Sequence, residues 1–159
     1  RGKYMLKLLF VCHGNICRSP MAESVCAYEI VKRGIKNVSV DSAAAHTDEI
    51  GNPPHRGTQE KLRRENVPLI PHRASLLLKS DGEKYDYFIG MDDYNIRDMR
   101  RILGNIDKPV CKLLDFTSSP RAIADPWYTG NFDATFDDVV DGVNALLDGL
   151  EAQGLAKRE

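Results

Sequence analysis

The residues from Met5 to Pro20 constrain the fold of this chain more than any other segment. Residues 5–11 form a nearly unbroken apolar run, which predicts a β-strand buried on both faces, as in a parallel sheet. A polar loop follows, and Ser19 and Pro20 then predict the N-cap and the first position of a helix that ends at Gly34. A strand, a tight loop and a helix in direct succession predict a parallel α/β fold.

The rest of the chain repeats this alternation of strands and helices. Further strands are predicted near residues 38–41, 85–90 and 109–114, and further helices end near residue 66 or span residues 92–103 and 133–150. We therefore predict a doubly wound, flavodoxin-like sheet of four parallel strands with helices on both faces. With 159 residues, the chain is expected to form a single domain over residues 5–155. Residues 1–4 precede a plausible start methionine and are expected to be an expression remnant or a flexible N-terminus.

Composition and charge argue against several classes of function. A net charge of −1 gives no basis for binding nucleic acid or a membrane surface, and no apolar run approaches the roughly 20 residues that span a bilayer.

Four cysteines occur, at positions 12, 17, 26 and 111. Two disulfides are conceivable, but the spacing is not typical of a secreted framework, and the one Cys-x4-Cys pair lacks a second ligand pair for zinc. We expect a cytoplasmic protein with mostly free thiols, no metal site and no cofactor.

The loop after the first predicted strand carries the main candidate chemistry. Cys12 and Arg18 stand at its two ends, six residues apart. In such a joint, backbone N–H groups and the positive end of the helix dipole converge on one point, where an anion binds. That field also favours a thiolate over a thiol. A free cysteine at a strand end is usually a small buried hydrophobic residue, but the adjoining Gly14-Asn15 turn and Arg18 favour a nucleophile that attacks phosphorus without a metal.

The residues around Cys12 suit a bound phosphoryl group. The planar guanidinium of Arg18 donates two hydrogen bonds at once to such a group, whereas a cation at a helix start is otherwise unfavourable. Gly14 and Asn15 are expected to turn N–H groups inward, because both tolerate left-handed conformations. Ser19 has two interpretations: its hydroxyl only caps the helix, or it also stabilises the Cys12 thiolate.

An acid is needed to protonate the leaving oxygen, and Asp125 is the best candidate. It lies in a long loop over residues 115–131, which leaves the predicted sheet at the same edge as the Cys12 loop. Trp127 and Tyr128 follow it and are suited to gripping an aromatic ring. Asp-Pro is also a common turn dipeptide, so Asp125 by itself would indicate only a turn.

These motifs together resemble the low-molecular-weight protein tyrosine phosphatase family over nearly the whole chain. Residues 12–20 reproduce the family loop Cys-x-Gly-Asn-x-Cys-Arg-Ser-Pro. Further matches are Asp-Ser-Ala at 41–43, His-Arg-Ala at 72–74, Met-Asp at 91–92 and Asp-Pro-x-Tyr at 125–128. The candidate acid follows the nucleophile by 113 residues, whereas in larger tyrosine phosphatases the acid precedes it.

The resemblance implies hydrolysis of phosphotyrosine, an aryl phosphate monoester, in two steps. Cys12 would form a phosphocysteine, Arg18 and the loop amides would hold the phosphoryl group, and Asp125 would act first as acid and then as base. Phosphotyrosine proteins are the expected partners, and phosphate, vanadate or sulfate are the expected site ligands.

The resemblance also implies roles for the residues around these three. A hydrogen-bond network that supports the loop would consist of Asn15, Ser42 and His72. The residues expected to line the phosphate and ring site are His13, Gly14, Asn15, Ile16, Cys17, Ser19, Trp127 and Tyr128. Cys17 would in addition form a reversible disulfide with Cys12 that protects the nucleophile from over-oxidation.

Two departures from the family pattern and three alternative functions remain. His13 occupies a position that is often leucine, and residues 46–49 lack the aromatic residue that many members have there, so substrate preference is open.

A thiol-dependent arsenate reductase is disfavoured because residues 81–110 contain no resolving cysteine. A protein-arginine phosphatase is disfavoured because the loop typical of that subgroup has threonine at the position that Ile16 occupies here. A phosphopeptide-binding module without catalysis is disfavoured because the nucleophile, the arginine and the acid are all present.

Overall fold

The centre of the fold is a strand with a parallel neighbour on each side. A computed structural model describes residues 4–159. Its strands are β1 Leu6–Cys12, β2 Val38–Ala44, β3 Tyr87–Gly90 and β4 Val110–Lys112. All pairings are parallel, and the order across the sheet is β2-β1-β3-β4. The predicted doubly wound sheet of four parallel strands is therefore confirmed.

Helices cover both faces of this sheet. Within residues 4–159 the helices are α1 Arg18–Arg33, α2 Arg56–Arg64, α3 Asp93–Leu103, α4 Pro126–Thr129 and α5 Phe132–Ala152, and 3₁₀ turns span Lys79–Glu83 and Leu113–Phe116. The helices α1, α2 and α5 pack together on one face, whereas α3 packs on the other face against β3 and β4. This arrangement leaves the carboxyl ends of the strands open at one edge, where ligands bind in folds of this kind.

The apolar run in β1 serves two hydrophobic cores at once. Leu8 and Phe10 pack into the core beneath α1 and α5, whereas Leu9 and Val11 pack into the core on the α3 face. All four side chains are at most 1% exposed. Successive side chains of a strand point to opposite faces, so a strand buried on both faces must be apolar throughout.

The structure changes two predicted boundaries that bear on the site. β2 continues to Ala44 instead of ending at residue 41, because residues 42–44 pair with residues 10–12 of β1 even though small side chains have little strand propensity. α1 begins at Arg18, and no side chain caps its first turn. The interpretation of Ser19 as the helix cap is therefore wrong, and its hydroxyl is available for another role.

The predicted long loop at residues 115–131 is partly regular. The 3₁₀ turn Leu113–Phe116 runs into its start, and the single helical turn α4 lies near its end. The predicted remnant or flexible N-terminus at residues 1–4 lies outside the described residues except for Tyr4. In the part of the chain from residue 4 onward, no helix combines the length and the apolar character that crossing a membrane requires.

Candidate active site

Cys12 is the last residue of β1, and the loop of residues 13–17 leads from it into α1. The side chain lines a pocket of ≈ 540 Å³ at the open edge of the sheet and is 3% exposed. Its Sγ lies 3.0 Å from the Ser19 hydroxyl and accepts from the Ser19 backbone N–H at 3.4 Å. Asn15 Nδ2 donates to the Ser19 hydroxyl oxygen, which leaves the Ser19 O–H to donate to the sulfur. The sulfur thus has both the hydroxyl and the backbone N–H of Ser19, in the first turn of α1, within hydrogen-bond distance.

Arg18 is buried beside Cys12 and is held by two acidic loops. One of its terminal nitrogens donates to Asp92 Oδ2 at 2.7 Å and to the Ile123 carbonyl at 2.8 Å, and the other lies 3.4 Å from Asp125 Oδ2. Burial opposes the guanidinium charge, but Cys12, Asp125 and Asp92 outweigh that effect and raise the pKa of Arg18. Its Nε is buried and has no hydrogen-bond partner among the described residues.

The backbone of the loop supplies further donors. Outside the helix and strand ladders, the N–H groups of residues 14–18 make no hydrogen bond to another described residue, although residues 15–18 are buried. Buried N–H groups are normally paired. Gly14, Ile16, Cys17 and Arg18 line the same pocket as the Cys12 thiol, so their unpaired donors and the Nε of Arg18 suit the oxygens of a phosphoryl group.

Asn15 holds the loop in shape through both its side chain and its carbonyl. It is fully buried and has a φ of 61°, in the left-handed region. Nδ2 donates to the hydroxyls of Ser19 and Ser42 at 2.8 and 2.9 Å, and Oδ1 accepts from the Ser75 N–H at 3.1 Å. The Asn15 carbonyl lies 2.8 Å from His72 Nε2. The structure thus brings the three predicted supporting residues, Asn15, Ser42 and His72, into one network.

Glu23 extends this network beneath the loop, although no motif in the sequence predicts it. Its carboxylate accepts from the Ser42 hydroxyl at 2.5 Å and lies 3.8 Å from His72 Nδ1. Burial raises the pKa of Glu23, against the lowering effect of the Ser42 hydroxyl, and Asp41 raises it further. Burial also lowers the pKa of His72, so a neutral imidazole that donates from Nε2 to Asn15 fits this site. A glutamate in a helix ordinarily indicates a solvated position, so no local signal marked it.

Gly14 does not have the conformation that we expected. Among the described residues of the loop, Asn15 is the one with a positive φ. A Cβ on Gly14 would lie 3.2 Å from Glu49 Cγ. Glycine at this position therefore permits close packing of the segment at residues 46–49 against the loop.

Asp125 reaches the site because it caps α4. Its Oδ1 accepts from the Trp127 N–H at 3.0 Å, and its Oδ2 faces Arg18. Asp125 thus caps a helical turn and also faces the pocket, so its place in a turn does not exclude a role at the site. Trp127 and Tyr128 line the same pocket and are 55% and 84% exposed. One carboxylate oxygen is anchored and the other faces the pocket, where it is placed to exchange a proton with a bound molecule.

Asp92 is a second acidic neighbour of Arg18 and adds to the site residues predicted from the sequence. Its Oδ1 accepts from the Asn95 N–H and caps α3, and its Oδ2 accepts from Arg18. The Met-Asp motif at residues 91–92 was its sequence signal. The same side chain therefore begins a helix and orients the guanidinium.

Stacked histidines form part of the pocket mouth. The rings of His13 and His46 lie 4.1 Å apart between centroids and are inclined by 19°. His13 Nε2 is 2.9 Å from Asp48, and His46 Nε2 is 2.8 Å from Asp98. The segment at residues 46–49 therefore contributes a flat ring to the mouth although it lacks Phe, Tyr and Trp. Ile16 also lines the pocket and is 7% exposed.

The four cysteines are free thiols in the structure. Cys17 lines the same pocket as Cys12, and burial raises the pKa of the Cys17 thiol. Within residues 4–159, no group of three or more His, Cys, Asp or Glu side chains is arranged to hold a metal ion.

Comparison with known proteins identifies the family of the chain. The sequence profile of the family described as "Low molecular weight phosphotyrosine protein phosphatase" matches residues 7–158. The low molecular weight protein-tyrosine-phosphatase PtpA of Staphylococcus haemolyticus is 38% identical over 145 residues, which cover 91% of this chain and 93% of that relative.

Solved structures show the same fold. The crystal structure of YfkJ from Bacillus subtilis matches with a TM-score of 0.90 and 38% identity, and covers 96% of this chain and 98% of that chain. DARP, a drosophila arginine phosphatase, matches with a TM-score of 0.84 and 25% identity, and covers 92% of this chain and 98% of that chain. Because the family profile spans nearly the whole chain, and the loop that defines the site is intact, this chain belongs to the low molecular weight phosphotyrosine protein phosphatase family.

Proposed function

We propose that this protein hydrolyses phosphotyrosine and other aryl phosphate monoesters through a phosphocysteine intermediate on Cys12. The main support for the proposal is that a thiol, anion-binding donors and a carboxyl group all lie at one pocket. A buried thiol, a buried guanidinium with an unpaired Nε and a loop of unpaired N–H groups lie together, with Asp125 at the opening. Nucleophile, anion donors and acid are the parts that phosphoryl transfer to a cysteine needs.

In the first step, the Cys12 sulfur attacks phosphorus and forms an S–P bond while the bond from phosphorus to the phenolic oxygen breaks. Asp125, in its protonated form, donates a proton to that oxygen. Arg18 and the loop N–H groups hold the three equatorial oxygens of the phosphoryl group, whose charge spreads in the transition state. The Ser19 hydroxyl, 3.0 Å from Sγ, stabilises the thiolate before the attack.

In the second step, Asp125 takes a proton from a water molecule, whose oxygen attacks the phosphorus of the phosphocysteine. The S–P bond breaks, inorganic phosphate forms and the electron pair returns to the Cys12 sulfur. Ser19 then stabilises the departing thiolate. Phosphate is the product, so phosphate, vanadate and sulfate are expected to compete for the same donors.

The depth of the site supports a preference for phosphotyrosine over phosphoserine. Cys12 is buried, whereas Trp127 and Tyr128 are exposed at the mouth, so a substrate must reach past the rim to bring its phosphorus to the sulfur. A long, flat phenyl ring spans that depth and packs against aromatic walls. Proteins that carry phosphotyrosine are accordingly the proposed partners. Ile16 offers an apolar contact at the pocket wall, which disfavours phosphoarginine.

The proposal includes redox control in a reducing compartment, the cytoplasm. Cys12 and Cys17 line one pocket, which supports a reversible disulfide between them. A Cys12 sulfenic acid would condense with the Cys17 thiol to give the disulfide and water, and thiol reductants would restore both thiols.

Hydrolysis of para-nitrophenyl phosphate in excess chelator tests the mechanism. We expect turnover in the wild type, inhibition by vanadate and no turnover by Cys12→Ser. Asp125→Ala should lower kcat by about 10²- to 10⁴-fold, the usual contribution of a positioned acid, while phosphate binding is retained. Cys111→Ser is the matched control, because Cys111 is a partly buried thiol outside the pocket. Turnover that survives Cys12→Ser would refute the phosphocysteine.

A substrate panel tests the specificity at the same site. Phosphotyrosine, phosphoserine and phosphoarginine are compared by their kcat/KM values with the same enzyme. A larger value for phosphoarginine than for phosphotyrosine would contradict the assignment even if para-nitrophenyl phosphate is hydrolysed.

A further inference from the structure

Arg97 is an exposed cation at the pocket mouth with no anionic partner among residues 4–159. It extends from α3 and lines the same pocket as Cys12. Its guanidinium carbon lies 4.9 Å from the centroid of the Tyr94 ring, and that ring lines the pocket and is 66% exposed. The described ion pairs of α3 involve other residues than Arg97. A guanidinium that rests on an aromatic face keeps its N–H edge free for an anion.

The acidic residues of α3 next to Arg97 are engaged elsewhere. Asp98 accepts from His46 at 2.8 Å and from Arg101 at 3.0 Å, and Asp93 pairs with Lys112 at 3.0 Å. Burial acts to raise the pKa of Asp98, but the hydrogen bonds from His46 and Arg101 lower it overall. Asp98 therefore stays ionised and bound to these two partners. Residues 4–159 therefore supply no carboxylate to Arg97.

The opposite side of the mouth is acidic. Asp48 and Glu49 follow β2, whereas Tyr94 and Arg97 follow β3, and β1 lies between these two strands in the sheet. Both acidic residues line the pocket. The hydrogen bond from His13 lowers the pKa of Asp48, and Glu49 accepts only from the uncharged Asn52 amide among the described residues. A bound segment therefore meets a cation on one side of Cys12 and carboxylates on the other.

We propose that Tyr94 and Arg97 form a subsite for an acidic residue next to the phosphotyrosine. The preferred substrates are then phosphotyrosine segments with Asp or Glu on the side that meets α3 and without such a residue on the side that meets Asp48 and Glu49. Arg97 donates two hydrogen bonds to the substrate carboxylate, and the carboxylates of the other side repel the reversed orientation. The proposal rests on the proposed function, because it concerns how a phosphotyrosine segment is oriented at the same pocket.

A set of phosphotyrosine peptides on one scaffold tests this subsite. One peptide has glutamates only before the phosphotyrosine, one has them only after it, and a third has alanine on both sides. Values of kcat/KM are measured for the wild type, Arg97→Gln, Arg97→Glu and Arg100→Glu, and each is divided by the value of the same variant for para-nitrophenyl phosphate. Arg100→Glu is the matched control, because Arg100 is an exposed arginine of the same helix that does not line the pocket.

In the wild type, the normalised kcat/KM for one of the two acidic peptides should exceed that for the alanine peptide by about three-fold at low salt. This is the size of effect expected for one exposed ion pair. Arg97→Gln should remove this preference, Arg97→Glu should reverse it, and Arg100→Glu should retain it. Salt at 0.5 M should abolish it, because exposed charges are screened. Equal values for both placements, or the same loss in Arg100→Glu as in Arg97→Glu, would overturn the subsite. Absence of turnover for para-nitrophenyl phosphate would instead overturn the proposed function itself.

Discussion

Asn15 shows how a single side chain can determine the shape of a loop. A non-glycine residue in the left-handed region costs about 1–3 kcal/mol. Each buried hydrogen bond returns about 0.5–1.5 kcal/mol, and Asn15 makes four through its side chain and carbonyl. The bonds therefore outweigh the strain, provided that every partner is present. Ser42, His72 and the Ser75 N–H come from other parts of the chain, so the loop depends on the whole fold.

Cys17 provides a prediction at the same scale. Burial raises the pKa of its thiol, so only a small fraction is thiolate near neutral pH, and that fraction increases with pH. After peroxide converts Cys12 to a sulfenic acid, closure of the proposed disulfide should accelerate by roughly tenfold per pH unit while the pH stays below that pKa. Quenching by alkylation followed by mass spectrometry measures the rate between pH 6.5 and 8.5.

The control for this oxidation is Cys17→Ala. Without a resolving thiol, Cys12 should proceed to sulfinic acid under the same peroxide treatment. A closure rate that does not change with pH, or equal sulfinic acid in both proteins, would count against Cys17 as the resolving residue.

At the scale of elements, α5 illustrates what a helical pattern predicts and what it omits. The apolar spacing from Phe136 to Leu150 predicted the helix, and the structure extends it to Phe132–Ala152. The pattern did not show that Gly142 approaches the 3₁₀ turn at Leu113–Phe116. A Cβ on Gly142 would lie 2.4 Å from Leu113 Cγ, whereas a Cβ on Gly149 would meet nothing within 4 Å. Close packing against Leu113 therefore requires glycine at position 142, whereas a Cβ would fit at position 149.

The same substitution at these two glycines should change stability in opposite directions. Alanine is favoured over glycine in a helix by about 1 kcal/mol, so Gly149→Ala should raise the free energy of unfolding by up to that amount. At Gly142 the added methyl group overpacks the core, which costs about 1–3 kcal/mol and outweighs the gain, so Gly142→Ala should be destabilising. Urea unfolding monitored by circular dichroism measures both values. Stabilisation by both variants would show that Leu113 moves aside without cost.

At the scale of the whole molecule, two buried groups beneath the loop should make stability depend on pH with opposite signs. Burial lowers the pKa of His72 below its ordinary 6.5, so the unfolded chain binds a proton first and stability is lost as pH falls through this range. Burial raises the pKa of Glu23 above its ordinary 4.5, so the folded chain holds the proton longer and stability is lost as pH rises through that range.

Comparison of His72→Gln and Glu23→Gln with the wild type separates these contributions. The free energy of unfolding of the wild type minus that of His72→Gln should increase as pH rises towards 6.5. The corresponding difference for Glu23→Gln should decrease as pH rises above 4.5. The double variant corrects for coupling between the two groups, which lie 3.8 Å apart. Two differences that change in the same direction with pH would contradict these assignments.

The parallel sheet was predictable because its main strand is buried on both faces and therefore apolar at every position. The Cys12 loop was predictable because the residues that mark it lie within one short segment. Glu23 and Tyr94 were not assigned to the site, since each reaches it only through a tertiary contact that no short pattern contains. Asp92 was marked by the Met-Asp motif, but the motif did not show that its carboxylate binds Arg18. The wrong expectations for Ser19 and Gly14 have a related cause: their sequence positions fit a cap and a left-handed turn, but the neighbours that decide their roles come from elsewhere in the fold.

The order of the site residues along the chain has a consequence for synthesis. Cys12 leaves the ribosome first among the residues of the site, yet Asp125, which lies beside Arg18, follows 113 residues later. At roughly 5–20 residues per second, that interval lasts on the order of ten seconds. A chain that stalls within it contains Cys12 without Asp125, so the proposed proton donor joins the proposed nucleophile only after residue 125 has been translated.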